Sequence, residues 1–207
     1  TPFGEIPDPE TAPEWQLKFA LCPATIIKLS FDNQSDSDWQ GFFALSSKHF
    51  WSPLKKNESS PLTGSVSRNS IAIATLDKSA ENFMDFTVDS SLNRKHSTPN
   101  FLLGQTAGLS ISIPAGSKKS LTLAVAYFID GTASFNREAT YLYKRYFANI
   151  QQVLSYALEN EQQYFALAAK RDRELKAMDH LNDEQKFLIA HATRSYFGST
   201  ELLDEGD

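Results

Sequence analysis

Residues 109–129 read LSISIPAGSKKSLTLAVAYFI, and they decide the fold. Leu109, Ile111 and Ile113 alternate with serines, Pro114-Ala115-Gly116 turns the chain, and Leu121, Leu123, Val125, Tyr127 and Ile129 resume the alternation. A period of two marks strands with one apolar face, and the turn between them predicts an antiparallel hairpin. Upstream, shorter segments repeat the pattern. Strands are expected at Trp39–Leu45, Ile71–Leu76 and Phe83–Val88, the last alternating Met84, Phe86 and Val88. Leu17, Phe19 and Leu21, then Ile27, Leu29 and Phe31, again fall on odd positions, with Pro23 at a break, bulge or edge. The polar run Asp32–Asp38 predicts a second hairpin turn, and residues 46–69 and 89–100 read as loops. Many short strands without helical crossovers favour an antiparallel β-sandwich over a parallel sheet.

At Thr132 the composition changes. No proline follows Pro114, and Gly198 is the only glycine between Gly131 and Gly206, so everything from Thr132 reads as helix. An apolar seam runs at steps of three and four from Tyr143 through Phe147, Ile150, Leu154 and Ala157 toward Met178, interrupted by Glu161 and Arg171. A continuous helix from Arg137 to Met178 would span about 63 Å, so a break near Asn160 or a helix bridging two bodies is expected. The last helix begins with Asn182 as N-cap, Gln185 completing a capping box, and Asp183 and Glu184 complementing the helix dipole. Gly198 is the expected stop. The apolar positions from Phe187 to Phe197 lie on more than one face, so in this chain they should be incompletely covered.

Composition bounds the function. A chain of 207 residues, 41% hydrophobic and 22% charged, has room for a real core. A net charge of −5 gives no reason to expect nucleic acid or an anionic membrane as partner. No apolar window approaches a membrane span and residues 1–10 lack signal-peptide features, so a cytoplasmic protein is expected. The single cysteine, Cys22, reads as a small buried hydrophobe. Phosphate loops, zinc spacings and nucleophile elbows are absent, and the four histidines (His49, His96, His180, His191) are scattered, so neither metal nor cofactor is expected. His191, Arg194 and Tyr196 on the capped helix are the candidate pocket residues. The aromatics Phe42-Phe43 and Phe50-Trp51 read as core, with a sugar-stacking platform as the alternative. Glu201, Asp204, Glu205 and Asp207 read as a solvated charge cluster, and no acid/base pair stands out.

Two stretches carry a family resemblance: IPDPETAPEWQLKFALCPATIIKLSFDN near the start, and TYLYKRYFANIQQVLSYALE through LNDEQKFLIAHATRSYFGSTELL near the end. Both resemble bacterial glycoside hydrolase family 52, the β-xylosidases. The resemblance implies an N-terminal β-sandwich (1–131, in part), a helical linker (132–180) and the first helix of an (α/α)6 barrel (181–207). It implies a fragment of a retaining enzyme acting on xylo-oligosaccharides, with a glutamate nucleophile and an aspartate acid/base about 5–5.5 Å apart. Both would lie beyond residue 207, which makes this chain inactive alone and leaves it no catalytic residue. Asp204-Glu205-Gly206-Asp207 looks superficially like the family's Asn-Glu-Gly-Glu nucleophile string, but it follows Leu202-Leu203 too closely for Glu205 to take that role. The alternatives are a non-catalytic carbohydrate-binding module and a homodimerising helical module built on residues 137–178.

Overall fold

The computed structural model describes residues 7–55, 61–93, 103–134, 138–199 and 202–205, with the backbone alone for 134 and 194–199. In chain order the elements are α1 (Glu14–Leu21), β1 (Ala24–Asp32), β2 (Trp39–Pro53), β3 (Thr63–Ser67), β4 (Ile71–Thr75), β5 (Ala80–Asp85), α2 (Val88–Leu92), β6 (Gly104–Ile113), β7 (Lys118–Tyr127), β8 (Thr132–Ser134), β9 (Glu138–Tyr141), a 3-10 turn (Leu142–Arg145), α3 (Ile150–Glu159), α4 (Glu161–Lys176), α5 (Asp183–Ser199) and β10 (Leu203–Asp204). They form two compact units: Pro23–Asp130 with Phe147–Glu159, and Thr1–Cys22 with Gly131–Tyr146 and Asn160–Asp207.

The first unit is a seven-stranded antiparallel sheet in the order β1-β7-β4-β3-β2-β6-β5. Leu109, Ile111 and Ile113 of β6 share one core cluster with Leu121, Leu123 and Val125 of β7, although these strands are not hydrogen-bonded neighbours. The sheet therefore folds over on itself, which is compatible with the expected sandwich. The expected hairpin is corrected: β6 pairs with β2 and β5, whereas β7 pairs with β1 and β4. The turn at Pro114–Ser117 carries the chain from one layer to the other. Asp32–Asp38 does the same between β1 and β2, so the second expected hairpin is also a crossover. Alternation reports which face of a strand is apolar, and facing layers satisfy it as well as paired strands do.

Asn33 ties these two crossings together. It is fully buried, and its amide nitrogen donates to the carbonyls of Ser37, Ile113 and Pro114 at 2.8, 3.1 and 3.1 Å. Its side-chain oxygen accepts from the Ser35 backbone N–H and hydroxyl, and its own N–H donates to the Ser117 carbonyl. Gly116, at φ +64, stands where a side chain would be strained.

The expected loop over 46–69 is corrected at both ends: Thr63–Ser67 form β3, which pairs with β2 and β4, and the first part continues β2. β2 runs on to Pro53 through an irregularity between Ser46 and Trp51, because Trp51 is a fully buried anchor whose indole donates to the Gln105 carbonyl at 3.1 Å. The hairpin joining β3 and β4 turns through Arg68 and Asn69, both at positive φ, the geometry that matches strand twist. Strand β5 ends at Asp85. Phe86 and Val88, expected within it, are exposed, and Thr87 caps α2 by accepting from the Ser90 N–H.

Alternation in β4 and β7 has a second consequence. Ile73, Leu123 and Val125 point into the core, while Ala72, Ala74, Ala124 and Ala126, all fully buried, form a smooth outer face. Helix α3 packs on β7, β4 and β1 there, burying Ile150, Val153, Leu154, Ala157 and Leu158. Small residues let the helix approach the sheet closely.

In the second unit the helical reading of 132–146 is corrected. These residues form β8, β9 and the 3-10 turn, and β10 adds to β9 in a three-stranded antiparallel sheet. The expected break falls at Asn160, between α3 and α4. The expected strand over Leu17–Leu21 is helix α1. Leu17 is buried, and Phe19 stacks on Tyr164 of α4 with ring centroids 4.0 Å apart, the Tyr164 hydroxyl donating to the Phe19 carbonyl at 2.7 Å. Pro23 ends α1 by forcing the preceding Cys22 into extended backbone. No helix among the described residues is long and apolar enough to cross a membrane.

Candidate functional site

Helix α5 carries the candidates read from the sequence. Asn182 Oδ1 accepts from the Gln185 N–H at 2.9 Å, and Gln185 Oε1 accepts from the Asn182 N–H at 3.0 Å. This is the reciprocal capping box that the sequence predicts, and it satisfies two helix-end donors at once. Asp183 and Glu184 occupy the first turn. The helix continues through Gly198 to Ser199, one residue past the expected stop, because glycine permits the left-handed conformation without requiring it.

His191 lies exposed on this helix, one turn from Phe187, with ring centroids 4.6 Å apart and planes tilted by 55°. Arg194 and Tyr196 follow on the same helical backbone, and their side chains lie outside the described residues, as does His96. Phe187, Leu188 and Ile189 are 62%, 64% and 41% exposed, which agrees with the expectation of an incompletely covered helix. An open depression of 480 Å³ over the first turns of α5 is lined by Asp183, Glu184, Phe187 and Leu188. Chemically it offers an apolar floor edged by carboxylates at a helix N-terminus, where the dipole favours anionic side chains.

Elsewhere the aromatics divide. Trp51 is buried and Phe43 packs against the core, while Phe42 and Phe50 face outward, Phe42 edge-on to the buried Phe83. The His49 imidazole is held below its ordinary range by desolvation first, then by the positive charges of Arg68 and Lys48. Cys22 is partly buried; desolvation pushes its thiol up to about 12, against the smaller, lowering effect of its hydrogen bond with Tyr164. Among the described residues no group of three or more His, Cys, Asp or Glu could hold a metal ion.

Asp204 corrects the reading of a solvated acidic cluster. Its carboxylate accepts from Nε and Nη2 of Arg145, and its side chain is only 14% exposed. The partners stand 59 positions apart, so no local pattern could have revealed them. Glu201 and Asp207 lie outside the described residues.

Comparison with known proteins matches residues 1–207 to glycosyl hydrolase family 52. The chain belongs to this family. Two curated relatives from Geobacillus stearothermophilus, both named beta-xylosidase, are 31% identical over 208 residues and 35% identical over 212. Each alignment covers 99% of this chain, but 29% of the first relative and 33% of the second. The family 52 chain thus spans about a third of the length of the curated relatives it matches. The Geobacillus sequences align along 99% of it, through the folded-over sheet and the capped helix.

Proposed function

We propose that this chain is part of a retaining glycoside hydrolase that releases xylose from xylo-oligosaccharides. The observation that carries the reading is the family match over residues 1–207, together with two relatives named beta-xylosidase aligned to 99% of the chain. In this reading the folded-over sheet is the N-terminal sandwich, and α5 is the first helix of an (α/α)6 barrel. The catalytic glutamate and aspartate are supplied by residues outside the present sequence. The isolated chain is then inactive.

The test is hydrolysis of an aryl β-xyloside by the isolated chain, and by a Geobacillus relative in which this chain replaces the segment it aligns to, giving a joined protein. Turnover by the joined protein alone is the expected result. Turnover by the isolated chain, surviving purification to constant specific activity, overturns its inactivity. A folded joined protein without turnover counts against the hydrolase assignment.

His191, Arg194 and Tyr196 line the substrate pocket in this reading. Replacing each by alanine in the joined enzyme is expected to raise KM or lower kcat, and unchanged kinetics would remove them from the pocket.

A further inference from the structure

From Asp183 to Thr193, the part of helix α5 whose side chains are described, no side chain is buried, so apolar packing there does little to place it. Its N-terminal end is capped within its own first turn by the Asn182–Gln185 box and joined to the end of α4 by the Lys186 ammonium donating to the Lys176 carbonyl at 2.9 Å. At the other end, β10 meets β9 through only two register pairs, Leu203 with Tyr141 and Asp204 with Thr140, beside the Leu142 N–H donating to the Leu202 carbonyl at 2.9 Å. So short a ladder is weak by itself. The side chains add a two-pronged, charge-assisted contact, with Nε and Nη2 of Arg145 each donating to one oxygen of the Asp204 carboxylate. Such forks are stronger than neutral hydrogen bonds and fix orientation as well as distance.

We infer that the Arg145–Asp204 fork is the latch that anchors the C-terminal end of α5 to the β9 strand and the 3-10 turn. Without it, residues 202–204 leave the small sheet and the chain that follows α5 loses its hold on β9. Arg145 is then a positioning residue. Because α5 carries His191, Arg194 and Tyr196, the latch would also set where those side chains stand in the intact enzyme, a consequence that rests on the reading above.

Hydrogen exchange on the present chain tests the latch without any activity measurement, so its failure and that of the hydrolase assignment are distinguishable. In Arg145→Ala, exchange at Leu142, at residues 202–204 and in α5 is expected to quicken about tenfold, the scale of one lost charge-assisted contact expressed through local opening. Protection in β6 and β7 should not change. The reversal Arg145→Asp with Asp204→Arg is expected to restore slow exchange. Unchanged exchange in Arg145→Ala overturns the inference, as does a reversal that fails to restore protection while β6 and β7 stay protected. Protection lost throughout β6 and β7 in Arg145→Ala also overturns it, since the pair would then hold the whole fold and not one helix end.

Discussion

Asn33 shows how much one side chain can decide. Its amide joins two crossings that lie about eighty positions apart in sequence, and the Ile113 carbonyl it satisfies is buried with it. Asn33→Ala is expected to lower the unfolding free energy by about 3 kcal/mol, the upper part of the range for leaving buried polar groups unpaired. Urea titration of the two proteins side by side checks it. Cys22 makes a pH-dependent prediction. In the unfolded chain its thiol ionises around its ordinary 9.0, and in the folded chain around 12. Between those values the folded state holds the proton that the unfolded state loses, so this stabilising contribution is complete below pH 9.0 and falls as pH rises toward about 12. Cys22→Ala should flatten that alkaline decline, which parallel pH–stability curves would measure; identical slopes would contradict it. The burial of Cys22, which the structure makes partial, was legible from its apolar neighbours. The bond network of Asn33 was not, since Asp32–Asp38 reads equally well as an ordinary turn.

At the level of elements, α3 and α5 are opposite cases. Helix α3 is strongly amphipathic and buries five side chains on the alanine face of the sheet. Leu154→Ala is expected to cost about 3 kcal/mol through lost burial and a residual cavity, measured as a lower denaturation midpoint with an unchanged slope. A change below about 0.5 kcal/mol would mean that α3 is not part of the core. Helix α5 was recognisable from its capping box alone, because a cap is a contact between residues three apart. The helical reading of 132–146 failed for a related reason. Absence of proline and glycine allows a helix without requiring one, and Thr140 and Tyr141 instead meet β10, more than sixty positions later. Strand β2 was read too short because Trp51 follows a polar run whose alternation, outward serine and lysine against half-buried neighbours, only the sheet makes visible.

At the scale of the whole molecule, the unit containing the folded-over sheet takes its covering helix from residues 147–159, beyond the apparent composition boundary at Thr132. A protein comprising residues 23–159 is therefore expected to fold with a cooperative thermal transition and to run as a discrete species in gel filtration. Residues 1–131, lacking α3, leave Ala72, Ala74, Ala124 and Ala126 uncovered and are expected to aggregate. Equal behaviour of the two would remove the structural role given to α3. The pairing of β6 with β2 and β5, the crossings held by Asn33, the covering helix and the Arg145–Asp204 fork join residues tens of positions apart. Neither residue type nor period encodes a partner at that range, so only the packed chain selects among the pairings. The apolar alternation of β1, β4, β6 and β7 in the main sheet, the break at Asn160 and the capped start of α5 were already legible in residues 24–185, whereas β3 (Thr63–Ser67) and the end of β2 lay in stretches whose polar composition reads as loop. The legible features rest on contacts within a few positions, where side-chain alternation, helical spacing and side-chain-to-backbone caps act directly on the local backbone.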